Sequence, residues 1–346
     1  MENSSQGLLT TPENDLIKVC QHLPLRVNTV PYSPDNKTFI VTVFTCVFIG
    51  LVCPCAIVAN VMVFLGILRK SDLRNVYNTS ILFLATSDLL TGLITMPTFL
   101  VYQGSKLVKR EDEFSCTALV LYTFTTFLFT GLSVVTIILI TLERYLAIFH
   151  PFKYRDYVTK RRIAVTISVV WIVWTAFIIL ARLSPGASAG MYSAIAAAML
   201  VPCILLTFFV YCKVYVLTRR VRLSIGHELS GPRNAEDIQE TKSSRTVAYI
   251  AFAVVLCFAP TLAIAVAYQT HSISLNYFYH LLYPLTDTAV LLTPIFDPVI
   301  YVLRSSNVRR SLCEFVRERS ESMQSSRART QTGPTATTGL EMAVQS

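Results

Sequence analysis

Long apolar runs broken by short polar segments give the chain its pattern. A helix needs about 20 apolar residues to cross a hydrocarbon core. By that measure the runs at 39–68, 76–102, 116–143, 162–183, 191–217, 245–270 and 277–303 each read as a span. The fourth is unambiguous, with Trp171 and Trp174 set in an otherwise aliphatic run, and only the small-residue turn Ser184 to Gly190 separates it from the fifth. Inside lipid a helix satisfies its own backbone hydrogen bonds, so the pattern predicts an all-α membrane protein, a seven-transmembrane helix bundle. Past the seventh run, Leu303, Val308, Leu312, Phe315 and Val316 share one helical face rimmed by arginines. That predicts an amphipathic eighth helix on the inner leaflet. The chain thus divides into a tail at 1–38, the bundle with helix 8 at 39–317, and a tail at 318–346 whose Ser, Arg, Thr and Gln predict disorder.

Composition agrees: 53% of residues are hydrophobic and 15% charged, against roughly 25% charged in soluble domains. A net charge of +9 would suit nucleic acid, but membrane proteins collect Lys and Arg in their cytoplasmic loops. With the N-terminal tail outside, 22 of the 30 Lys and Arg lie on the inner side, 7 on the outer, and Arg144 is the remaining one. The reading is therefore a multi-pass membrane protein with its N-terminus outside and no nucleic-acid partner. The first 38 residues lack the basic start and apolar core of a signal peptide. Asn3 and Asn36 head glycosylation sequons in that tail, while the sequon at Asn78 abuts an apolar run. Of nine cysteines, Cys46, Cys53, Cys55, Cys203, Cys212 and Cys257 sit in apolar runs and read as small buried hydrophobes. Cys313, on the eighth helix, is positioned for S-palmitoylation.

Prolines at 54, 97, 202, 260 and 298 fall inside spans, where each bends its helix. Four acids also lie in spans or at their ends: Asp88, Glu143, Asp287 and Asp297. Asn60, Ser133 and Arg144 join them. An ionisable group at membrane depth costs about 2.5–3.5 kcal/mol on insertion scales, so such residues usually mark function, the alternative for Glu143 and Arg144 being the interfacial end of a span with Arg144 snorkelling to phosphates. Two carboxylates in a low-dielectric core need a cation or a shared proton between them. A proton relay would also put acids at mid-membrane, so these residues alone leave a receptor and an ion- or proton-coupled transporter both open.

In order along the spans come Asn60, Asp88 within Leu84-Ala85-Thr86-Ser87-Asp88, Glu143-Arg144-Tyr145, Trp171, Pro202, Cys257-Phe258-Ala259-Pro260 and Asp297-Pro298-Val299-Ile300-Tyr301. This set resembles the rhodopsin-like (class A) G-protein-coupled receptors from about residue 39 to 317. The resemblance implies a receptor, not an enzyme, that couples an extracellular ligand to a heterotrimeric G protein, with arrestin as a further partner. It implies a switch built on Glu143, Arg144, Tyr145 and Tyr301, latched by Glu240, 20 residues before Pro260. It also implies a sodium pocket around Asp88, Ser133 and Asp297, with Asn60 beside them in the motif set, and no other cofactor. The chain departs from the family in having Phe258 for the sixth-span Trp and in having Tyr211 one residue late. Its second outer loop lacks Cys, and Cys116 lies three residues further from Arg144 than usual. Cys20 and Cys116 are the cysteines placed outside, where the compartment is oxidising. They are the expected disulfide, the alternative being a free Cys20.

For the ligand, Thr126 stands where amine receptors of this family carry Asp, and Leu291 where opsins carry the Schiff-base Lys. Asp287 lies eleven residues before Pro298, about three turns outward, with His280 two turns further out. Tyr122, Thr126, Phe127, Phe258 and Tyr283 are the expected walls of a pocket around it. As a deep anion Asp287 would take a ligand cation or strong donor; otherwise it is a structural acid paired with Arg182 or a water. A transporter would show repeated halves with paired broken helices, and no such repeat is visible.

Overall fold

The computed structural model describes residues 18–19, 28–29, 32, 35–69, 75–108, 113–183 and 274–304, parts of 198–216 and 249–267, and positions 309, 317 and 324. Asn3, Cys20, Tyr211, Glu240, Cys313 and nearly all of the C-terminal tail lie outside the described residues. So does most of the expected eighth helix, of which Arg309 and Arg317 are helical. Apart from an antiparallel pair of two-residue strands, β1 (Lys18–Val19) and β2 (Asn28–Thr29), every described element is a helix.

Helix α1 (Asn36–Arg69) begins three residues earlier than hydropathy alone predicts. Asp35 caps it: its carboxylate accepts the Thr38 amide at 2.8 Å, and the Thr38 hydroxyl accepts the Asp35 amide at 3.0 Å. This is a capping box with Thr in the place of the usual Glu or Gln. The bond from the Thr38 amide holds the Asp35 carboxyl below its ordinary pKa. Asn36 is exposed in this first turn, whereas Thr38 of its sequon is buried.

The second span is α2 (Val76–Leu90), a π turn (Thr91–Thr95) and α3 (Met96–Leu107). Pro97 explains the π turn. It has no amide to give the carbonyl four residues back, and the chain widens so that the Met96 amide reaches Thr91. The Gly92 carbonyl within this turn accepts the Cys53 thiol at 3.3 Å. The helix then runs five residues past the expected end at 102, to Leu107.

Helix α4 (Glu113–Phe149) is followed by the short α5 (Pro151–Tyr157) and by α6 (Lys160–Leu183). In the sixth run Val255–Ile264 forms the apolar helix α7. The last span comprises α8 (Leu275–Tyr277), a second π turn (Phe278–Leu282), α9 (Tyr283–Val290) and α10 (Thr293–Arg304). Its π turn immediately precedes Pro284, as the first precedes Pro97.

Four described helices are long and apolar enough to cross a membrane: Asn36–Arg69, Val76–Leu107, Cys116–Ala147 and Lys160–Leu183. Large apolar side chains such as Leu51, Ile172 and Leu180 point outward, as a lipid-facing surface requires. Inside, two clusters divide the bundle along its length. One lies toward Arg144 and joins Val63, Ile81, Leu84, Ile137, Ile140, Phe258 and Val290. The other lies toward the N-terminal tail and joins Ile49, Met96, Phe99, Tyr102, Tyr122 and Leu291. Helices α4 and α6 meet over Gly131, where a Cβ would stand 2.3 Å from the Trp174 indole nitrogen. Only a glycine allows that approach.

Candidate functional site

At the end of α4, Arg144 and Glu143 are both buried, 6% and 2% exposed. They form an ion pair through Arg144 Nη2 and Glu143 Oε1. Tyr154 of α5 closes this pair into a triangle. Its hydroxyl donates to Glu143 Oε1 at 2.7 Å and accepts from Arg144 Nη2 at 3.1 Å. The guanidinium carbon lies 4.8 Å from the centre of the Tyr77 ring at the start of α2, within cation–π range. Three elements therefore hold one cation in place. Burial alone would disfavour that charge, and Glu143, Tyr154 and Tyr77 answer it. Tyr145, the third residue of the motif, faces away and packs on Phe149, 4.9 Å between centroids, and toward Phe209, at 6.2 Å.

Mid-bundle, Ser133 donates to Asp88 Oδ1 at 2.9 Å. Asp297 faces the same carboxyl, and both acids are fully buried. Asp88 Oδ2 and both Asp297 oxygens have no donor among the described residues. A carboxyl pair of this kind needs a shared proton or a cation between its members, and carboxylate and hydroxyl oxygens suit a hard cation. The donor set therefore fits the sodium ion that the sequence motifs imply.

Asn60 has a different task beside it. Pro298 cannot supply an amide to the Pro294 carbonyl, and Asn60 Nδ2 donates to that carbonyl at 2.7 Å. The Val290 carbonyl, left open in turn by Pro294, accepts the Thr293 hydroxyl at 2.9 Å. The bend of the last span is thus stabilised by side chains, one of them reaching across from α1. Asn60 Oδ1 stays buried with no partner among the described residues.

Toward the N-terminal tail, Tyr122 of α4 donates to Asp287 of α9, both deeply buried. Tyr122 stacks on Tyr102 at 5.8 Å and meets Phe99 edge-on at 5.2 Å. Lys106 of α3 is also buried. Its ammonium lies 4.3 Å from the Tyr102 ring centre and 6.0 Å from that of Tyr32, within electrostatic reach of Asp287. Tyr32, from the segment ahead of α1, meets His280 edge-on at 5.2 Å and hydrogen-bonds Thr42 at 3.2 Å. Tyr32 therefore lies against this end of the bundle.

The family model described as 7 transmembrane receptor (rhodopsin family) matches residues 59–301, more than half of the chain. This chain belongs to the rhodopsin family of seven-transmembrane receptors. Among similar curated proteins is the histamine H2 receptor of Homo sapiens, 31% identical over 117 residues, 34% of this chain and 32% of that receptor. The histamine H2 receptor of Cavia porcellus is 24% identical over 254 residues, 67% of this chain and 68% of its own length. Melanopsin of Branchiostoma belcheri is 36% identical over 123 residues, 35% of this chain and 17% of that protein. The chain spans about a third of the length of the human relative it matches.

Within this rhodopsin-family bundle the expected residues separate into those brought together and those not. Glu143 and Arg144 pair, Asp88 meets Ser133 and Asp297, and Tyr122 meets Asp287. Tyr283 lies beside that last pair. Thr126 turns its hydroxyl back to the Tyr122 carbonyl at 2.8 Å. Phe127 packs on the cluster of Leu132, Trp174 and Ile178, facing α6, and Phe258 belongs to the cluster nearer Arg144. Tyr301 lies in α10.

Asp287 accepts the Tyr122 hydroxyl and has Lys106 within electrostatic reach. Arg182, the other partner expected for it, donates to the Val120 carbonyl at 3.2 Å and to the Thr123 hydroxyl. Cys116 is disulfide-bonded. The expected partner, Cys20, lies outside the described residues. Sequence reading missed Tyr77, Tyr154, Lys106 and Tyr32. The one signal available was the Lys at the margin of the second span.

Proposed function

We propose that this chain is a plasma-membrane receptor of seven spans with an inner eighth helix and its N-terminus outside. An extracellular ligand acts on it to activate a heterotrimeric G protein through the Glu143-Arg144-Tyr145 switch. The observation that carries the reading is the caging of Arg144 by Glu143, Tyr154 and Tyr77. In the resting arrangement the guanidinium is held from within; in the active one it is released to a partner. This is a two-element equilibrium that a ligand biases only by preferring one state.

Glu240 at the foot of the sixth span adds a second latch, and Tyr301 moves to the released arginine. A sodium ion held by Asp88, Ser133 and Asp297 favours the closed state. Arrestin uses the same inner face. Cys313 carries palmitate and seats helix 8 on the inner leaflet. Asn3 is the better glycosylation site, because Thr38 of the Asn36 sequon is buried. Cys20 is the disulfide partner of Cys116 and ties the tail across the outer mouth.

The names of the relatives speak of histamine and, for one Drosophila melanogaster protein 26% identical over 139 residues, of octopamine. Thr126 cannot form the ion pair an amine requires. The ligand class therefore has to come from this chain's own pocket. Arg144→Ala tests the reading: it should abolish nucleotide exchange on the G protein while leaving surface expression intact. Normal coupling in that variant would remove the switch.

A further inference from the structure

We propose that the outer pocket recognises a carboxylate on an aromatic or apolar body, and that Lys106 is the residue that binds it. The inference rests on the receptor reading above and names the ligand class of that same pocket.

Lys106 is 5% exposed, and its Nζ has no hydrogen-bond partner among the described residues. An ammonium has three donors, and leaving a charged group buried and unserved is among the costliest arrangements a protein can hold. Such a group persists where function requires it. The ring of Tyr102 supplies cation–π support at 4.3 Å, which offsets part of the cost but accepts no hydrogen bond.

Asp287 does not fill the gap. No ion pair joins it to Lys106, and one of its oxygens already takes the Tyr122 hydroxyl. The open valence at this end of the bundle is therefore a donor, and the group that completes it is an acceptor, most strongly an ionised one. The Lys106 ammonium faces the rings of Tyr102 and Tyr32; Tyr102 stacks on Tyr122, which meets Phe99, and His280 lies against Tyr32. Aromatic walls with few polar groups suit a flat apolar body fixed by a single charge.

The test uses the full chain purified in detergent and a matched set of probes: 4-hydroxyphenylacetate, its amide, and tyramine. They share a ring and differ in the group offered to Lys106. The carboxylate should raise the melting temperature in a saturable way, and the amide and amine should bind at least tenfold more weakly. Lys106→Met should abolish the carboxylate's effect, while Lys106→Arg, which keeps the charge, should retain most of it. If Lys106→Met does not fold, the comparison of carboxylate with amide in the unaltered chain decides the matter. The inference is overturned if tyramine binds as well as the carboxylate or better, if the carboxylate's effect survives Lys106→Met, or if the carboxylate produces no shift. Arg144-dependent nucleotide exchange is read separately. Exchange without carboxylate binding leaves the receptor reading and removes this one. Carboxylate binding without exchange does the reverse.

Discussion

Replacing Tyr154 by Phe removes one hydroxyl from the arginine cage and leaves everything else in place. That hydroxyl donates to Glu143 Oε1 at 2.7 Å and accepts from Arg144 Nη2 at 3.1 Å. The ring stays at 5.9 Å from the guanidinium, and the Glu143–Arg144 pair persists. Hydrogen bonds to charged groups contribute about 1.5–3 kcal/mol, and because Tyr154 itself is only half-buried the lower end, about 1.5 kcal/mol, applies. If the hydroxyl's contacts exist only in the closed state, the closed-to-active ratio falls by that amount, about 12-fold at room temperature while the active state stays rare. Ligand-independent nucleotide exchange on a co-reconstituted G protein, normalised to receptor content, should rise by roughly this factor. Basal exchange that is unchanged or lower at equal receptor content would refute the idea that Tyr154 holds the closed state.

Two further outcomes follow from the packing. Asn60→Ala strips the Pro294 carbonyl of its donor in a fully buried setting. Unsatisfied buried carbonyls cost about 1–3 kcal/mol, so thermal unfolding in detergent should move down by several degrees. An unshifted transition would show that another group serves that carbonyl. Non-reducing peptide mapping of the surface-expressed chain should recover the Cys20 and Cys116 peptides linked, and a free Cys20 thiol beside an oxidised Cys116 would assign a different partner.

Hydropathy made the first four spans legible to within about six residues at their ends, because lipid demands long uncharged helices whatever their neighbours do. The errors were at the ends. Asp35 and Thr38 form a cap that extends α1 without adding any apolar residue. Leu107 ends a helix expected to stop at 102, so Lys106 looked like a loop residue when it is a buried one. The prolines announced bends but not how the backbone absorbs them: the π turns before Pro97 and Pro284 widen the helix, and Asn60 serves the carbonyl that Pro298 leaves open. That last bond spans 234 positions, and no local pattern encodes it. Motif order picked out Arg144, Asp88 and Asp297; in the structure Arg144 lies against Glu143, and Asp88 lies against Ser133 and Asp297. Tyr154 and Tyr77 carry no periodic or charge signal. They became part of the site only when α5 and α2 came to lie against the end of α4.

A receptor transmits a signal through Arg144, whereas a transporter moves an ion. The purified chain reconstituted in lipid vesicles with a heterotrimeric G protein allows both to be read on one sample, as nucleotide exchange and as pH or sodium flux across the sealed membrane. Receptor-dependent exchange should appear and should vanish in Arg144→Ala, with no flux above that of empty vesicles in either form. Flux that requires Asp88 or Asp297, together with exchange indifferent to Arg144, would contradict the receptor reading.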